Sequence, residues 1–371
     1  MRSDITQRIA KGQMRRARGA RSRPFNMGIG GGGSTPLAAF QSFPPSASGM
    51  TARMTALATL AALTAATLAV VPAPAQDRAL TMAAPFTVME TGQGFSQLQQ
   101  AIDAIGDGRG SISIAPGRHA QCAVQTMGEI AYLAAEPGTA IFDGVTCEGK
   151  AALVLRGRSA EVSGLIFQNM QVPDFNGAGI GMEQGSLTVA ESWFRDSQQG
   201  ILTGDSPDGR LVVDRSTFTR LGTCEGAGGC AHSIYTGNVG LVRISRTRFE
   251  QGRGGHYLKS RGSRVEVAGN SFDDAGGQAT NYMIDLPGGA SGQITGNWFV
   301  QGRDKENYSA FIAIAAEGRQ HSSAGLAIAG NDARLAPGVD RNTIFVADWS
   351  GDDLAIGDNV LGRGLERFER R

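Results

Sequence analysis

Lysine is scarce in this chain of 371 residues: Lys11, Lys150, Lys259 and Lys305 are its four, and arginine supplies nearly all the remaining positive charge. Lys259 stands in the short apolar stretch "GHYLKSRG", with His256, Tyr257 and Arg261 around it. His, Tyr, Lys and Arg together can move a proton and hold an anion. Abstraction of the α-proton of a sugar acid needs a cation on the carboxylate, a base for the proton and an acid for the leaving oxygen. Arg261 suits the carboxylate because its planar fork binds two oxygens at once. Lys259 is the base or the neutralising cation, depending on whether burial and Arg261 or a nearby carboxylate decides its charge.

The spacing of similar segments brings further residues to the same place. Short apolar strands recur around Leu202, Ile234, Leu258, Ile284 and Ile312. If these stack facing inward, the next residues face outward, because strand side chains alternate. That line holds Thr203, Tyr235, Lys259, Asp285 and Ala313. Two positions before the inward residue come His232, His256 and Tyr282. The expected catalytic residues are Lys259, Tyr235, His256 and Arg261, with His232, Tyr257, Tyr282 and Asp285 binding substrate. Each has a plainer reading. The histidines can bond turn carbonyls, Lys259 and Asp285 can form a ladder salt bridge, Tyr235 can cover apolar surface, and Arg261 can be a turn residue. Asp273-Asp274 reads as a solvated turn, and His119 and His321 as incidental. Asp285 is the one carboxylate on the line, so hydrolysis, which needs two, ranks third.

A repeat must position these residues. The pattern [Ser/Thr/Asn]-x-Phe occurs at Ser192, Ser216, Thr247, Asn270 and Asn297, and weakens at Asn331 and Asn359, with spacings of 24, 31, 23, 27, 34 and 28. A β-branched run precedes each and Gly-rich turns separate them. A period in this range marks a solenoid or a propeller. Two or three strands of three to five residues per unit fit one coil of a parallel β-helix, with coils about 4.8 Å apart. Upstream, Ser96 and Gln99 have capping-box spacing, and Leu98, Ala101, Ile102 and Ile105 share one helical face. That helix, followed by a strand over 111–115, can cover the open end of the stack.

Over roughly residues 86–361 the chain resembles the pectin-lyase-like right-handed parallel β-helix superfamily, through the helix before "SISIAPG" and the Gly-Asn-x-Phe strand ends. "AHSIYTG", "GHYLKSRG" and "NYMIDLPGGASGQITGN" look like exported bacterial right-handed β-helix repeat proteins. The resemblance implies an all-β, right-handed, single-stranded parallel β-helix with an N-terminal capping helix. The superfamily holds polysaccharide lyases, hydrolases, uronate epimerases and catalytically silent surface proteins. The Asp-Pro-His-Asp element of alginate epimerases and the paired aspartates of polygalacturonases are not evident.

Charge and cysteine placement set the compartment. Residues 1–75 carry 9 of the Lys/Arg and 1 of the Asp/Glu, leaving 26 basic and 33 acidic residues, a net of −7, in the remainder. An acidic body argues against nucleic-acid binding. Residues 50–75 have Arg53, an apolar run from Ala56 to Val71 and a small-x-small site at Ala73-Pro74-Ala75, and read as a signal peptide. Translation is then expected to start at Met50 or Met54 and the mature chain near Gln76. Residues 1–49 are an upstream segment, mistranslated or disordered; a cytoplasmic tail before an uncleaved anchor is the alternative. Residues 76–85 are a linker and 362–371 a basic tail. Cys122 and Cys147 lie 25 apart, about one coil, so a disulfide between stacked coils is expected, and Cys224 and Cys230 close the loop "CEGAGGC". Neither pair has zinc spacing. The expectation is a periplasmic or secreted monomer that binds an acidic polysaccharide and lyses or epimerises it, without cofactor or metal, calcium not being indicated, and without nucleic acid or membrane. A glycan-binding surface protein is the rival reading.

Overall fold

The computed structural model describes residues 84–371 except Ala227; the segment 1–49, the leader 50–75 and most of the linker lie outside the described residues. Short strands, mostly of three to six residues, pair in parallel with their equivalents one coil on, giving three sheets of 12, 10 and 10 strands and a parallel solenoid of about nine turns. At one end of the first sheet, Phe86–Val88 pairs antiparallel with both Gln93–Phe95 and Arg109–Ile114.

The repeat is built from two columns. Phe142, Phe167, Phe194, Phe218, Phe249, Phe272 and Phe299 stack inside the second sheet with ring centroids 4.8–5.4 Å apart. Each buried ring contributes about 1.5–3 kcal/mol. Beside them runs a polar ladder. The backbone N–H of Ser192 donates to Ser216 Oγ, Thr247 to Asn270 Oδ1, Asn270 to Asn297 Oδ1, and Asn297 to Asn331 Oδ1. Asn297 Nδ2 also donates to Val267 O, so the amide satisfies a donor and an acceptor that burial would otherwise orphan.

Several expectations are corrected here. Helix Leu98–Ile105 exists and buries Leu98, Ala101 and Ile102, but its N-cap is Gln97 and no capping box forms. Instead Gln121 Oε1 accepts from Leu98 N–H, and Gln99 bonds both ways with the backbone of Val124. Leu365–Arg370, read as part of a tail, is the last strand of the third sheet and pairs with Thr343–Asp348. Its charges mask the pattern, but Leu365 and Phe368 pack on the core. Both disulfides are present, Cys122–Cys147 and Cys224–Cys230. Cys122 and Cys147 are not at equal positions, because Ala123 pairs with Leu153; Cys147 reaches back from the preceding turn. Among the described residues no helix is long and apolar enough to cross a membrane.

Candidate functional site

Ile234–Thr236, Leu258–Ser260 and Ile284–Leu286 are consecutive strands of the third sheet. Ile234, Leu258 and Ile284 are fully buried and in register, which fixes the outward line: Tyr235 beside Lys259, and Lys259 beside Asp285. One coil earlier the expected register is off by one. Ile201, not Leu202, pairs with Ile234, and Leu202 stands beside Tyr235, so Thr203 leaves the line. Two adjacent apolar residues left parity undecided there.

Lys259 does not project into solvent as a surface lysine would. It is 8% exposed, with Nζ 3.1 Å from Asp285 Oδ2 and 2.6 Å from Glu317 Oε1. Glu317 comes from the turn after Ala310–Ile314, 58 residues along the chain, and its other oxygen is ion-paired with Arg261. Arg261 Nε also donates to Tyr235 Oη at 3.1 Å. One carboxylate is thus held by two cations, one oxygen on each. Burial works against charge on Lys259, but Asp285 and Glu317 outweigh it and raise its pKa, so the ammonium stays charged. Burial likewise opposes charge on Glu317, yet Lys259 and Arg261 hold its carboxyl below the usual range. Asp285 differs. It is 3% exposed, burial raises its pKa despite Lys259, and its Oδ1 has no hydrogen-bond partner.

On the other side of Lys259 the two expected histidines meet. Their rings are 4.9 Å apart, with His256 Nδ1 3.2 Å from His232 Nδ1 and His256 Nε2 3.5 Å from Asp285 Oδ2. Burial, then the nearby positive charge, depresses the pKa of His232; burial, then His232 and Lys259, does the same for His256. Both rings are neutral at ordinary pH. Tyr282 borders His256, with ring centroids 5.7 Å apart.

Tyr257 does not belong to this face. It is buried in the core between Phe249 and Phe272, and its hydroxyl donates to Asp274 Oδ1. Asp274 is itself no solvated turn residue: it is fully buried and ion-paired with Lys305 at 3.0 Å. His119 packs between Phe86 and Phe142, away from the cluster. His321, read as incidental, lies beside it, with Nε2 3.2 Å from the carbonyl oxygen of Arg261. Glu317 and His321 were missed because they enter from a turn where coil spacing gives no register. Glu306 approaches Cys224 and Cys230, but both sulfurs are spent in a disulfide and do not form a metal site.

No protein-family model and no curated protein matches the chain. A solved structure from Geobacillus virus E2, ORF18, is similar at 12% identity and a TM-score of 0.37 over 71% of this chain. This chain spans 56% of that protein, and a likeness of this size carries no argument about activity.

Proposed function

We propose that the chain is an exported right-handed β-helix of the pectin-lyase-like type, its end covered by helix Leu98–Ile105, that acts on an acidic polysaccharide by abstracting the uronate C5 proton, as a lyase or an epimerase. One observation carries this reading: a carboxylate, that of Glu317, is seated between Lys259 and Arg261 with one oxygen on each. A uronate carboxylate has the same shape and charge. Glu317 is partly exposed on a turn, whereas Lys259 and Arg261 are largely buried, so a substrate carboxylate that displaces it must remake both ion pairs.

In that seat Lys259 and Arg261 neutralise the sugar acid, which acidifies its α-proton. Lys259 is the neutralising cation and not the base, because its carboxylate partners keep it charged. Two proton carriers flank the seat: Tyr235, hydrogen-bonded to Arg261, and His256, beside Asp285. Carriers on two sides suit removal of a proton followed by its delivery to a leaving oxygen or to the opposite sugar face.

A second reading has its own observation. Asp285 and Glu317 contact the same ammonium, at 3.1 and 2.6 Å, and burial shifts one up while cations shift the other down. Their contacting oxygens are then under about 6 Å apart, nearer the roughly 5–5.5 Å of retaining glycosidases than the wider inverting spacing. Incubation with alginate, pectate, glycosaminoglycans and bacterial exopolysaccharides separates the readings. New ultraviolet absorbance from unsaturated ends means lysis, and C5 proton exchange without cleavage means epimerisation. New reducing ends without absorbance would transfer the site to hydrolysis. Binding without any product would leave a glycan-binding protein.

A further inference from the structure

The ring nitrogens of the histidine pair can be assigned from a donor that has no choice. The backbone N–H of His256 donates to His232 Nδ1 at 3.0 Å. A backbone N–H cannot accept, so His232 Nδ1 carries a lone pair and the neutral ring of His232 carries its proton on Nε2. His256 Nδ1 is 3.2 Å from that same lone pair, so it must be the donor. A neutral His256 therefore has its proton on Nδ1 and a bare Nε2. That bare nitrogen faces Asp285 Oδ2 at 3.5 Å. Two lone pairs facing each other repel, so this tautomer favours a proton on Asp285 Oδ2, against the pull of Lys259 Nζ at 3.1 Å from the same oxygen.

We infer that His232 is a positioning residue that fixes the tautomer of His256, so that a bare Nε2 faces Asp285 Oδ2 as a proton acceptor. The backbone is shaped for this contact. Gly255 has φ of +59°, and a Cβ there would lie 2.0 Å from Ala231 O and 2.5 Å from His232 Nδ1. Only glycine lets the His256 N–H come so close to the His232 ring. On the other side, Ala231 N–H donates to Thr223 O at 2.7 Å, which ties His232 to the base of the disulfide loop. The groups facing His256 are His232, Lys259, Asn281, Tyr282 and Asp285, with Lys305 further in. Burial raises the pKa of Asp285 against the pull of Lys259, and its Oδ1 has no hydrogen-bond partner.

The purpose of the pair, as a proton carrier, rests on the function proposed above; the tautomer is a property of the free protein and is tested without substrate. Long-range proton–nitrogen correlation spectra of the full chain labelled with ¹⁵N-histidine read it directly, with His256→Gln and His232→Asn assigning the signals. The expected result is that His256 shows a protonated Nδ1 and an unprotonated Nε2, and His232 the reverse. His232→Asn, which keeps an acceptor near the place of Nδ1, should preserve the His256 pattern. His232→Ala should move the proton of His256 to Nε2. A native His256 that is protonated on Nε2, or on both nitrogens, at neutral pH overturns the inference, and so does an unchanged pattern in His232→Ala. If that variant fails to fold, the native spectrum still decides. A failure of the polysaccharide assays alongside the expected tautomers would remove the proposed function and leave this inference standing.

Discussion

Lys259, on a strand, and Lys305, on a loop, both have buried side chains paired with an aspartate, yet their surroundings differ. Lys305 has three acceptors for its three protons: Asp274 Oδ2 at 3.0 Å, Thr280 Oγ1 at 2.9 Å and the carbonyl of Asn281. Asp274 in turn accepts from Tyr257, Thr280 and the Gly302 backbone. No bond is left to offer. Lys259 has two carboxylate acceptors, one from a partly exposed turn, and its buried partner Asp285 keeps an empty oxygen. A saturated polar cluster stabilises a fold, whereas an unsaturated one at the surface still has something to bind.

The largest effects are expected on the saturated side. Lys305→Met or Asp274→Ala strands a charge in the core, which costs about 3–5 kcal/mol. Urea unfolding should show this as a lowered midpoint. A small shift would mean that water already reaches Asp274, and the contrast between the two lysines would collapse. Lys259→Ala should cost less, about 1–3 kcal/mol, because Asp285 can take up a proton once the ammonium is gone. Its turnover on the polysaccharide found active should fall roughly 10²–10⁴-fold, the range of positioned proton transfer. Loss of stability equal to that of Lys305→Met would make Lys259 an ordinary core pair.

A smaller, signed effect concerns pH. The folded His232 and His256 have pKa values below the ordinary 6.5, so the unfolded chain binds more protons as pH falls through that value. Stability should therefore drop between about pH 7 and pH 5, and His256→Gln should flatten the slope. Asp285 acts in the opposite sense. Its raised pKa gives stability that is complete below the ordinary 3.8 and is lost as pH rises through the folded value, so Asp285→Asn should stabilise the protein near neutrality. A wild-type slope unchanged in His256→Gln would show that the ring is not buried neutral.

The same contrast explains what the sequence made legible. Most of what coil repetition sets could be read: the strand-end Phe and Ser/Thr/Asn positions and the outward line Tyr235–Lys259–Asp285, though not its continuation to Thr203. What the turns contribute could not. Glu317 and His321 arrive at the cluster from an insertion, and Asp274, in a stretch that reads as a solvated turn, finds Lys305 only through another. Burial of Lys259 was missed for that reason: the strand pattern places it outward, and the turn carrying Glu317 covers it. The scarcity of lysine drew attention to Lys259 but not to Lys305, whose ion pair with Asp274 was not read.

We propose that Lys259 and Arg261 form a seat for a sugar carboxylate, now occupied by Glu317. Calorimetric titration of Glu317→Ala and the wild type with an oligouronate, and with the same oligosaccharide after reduction of its carboxyl groups, tests it most directly. Lys259 and Arg261 are largely buried, so removing Glu317 should lower stability measurably, and urea unfolding of the variant reads that cost beside the titration. The variant should bind the oligouronate more tightly than the wild type does, and neither should bind the reduced sugar appreciably. Equal affinity of wild type and variant, or equal affinity for the charged and reduced sugars, would mean that Lys259 and Arg261 do not seat a sugar carboxylate.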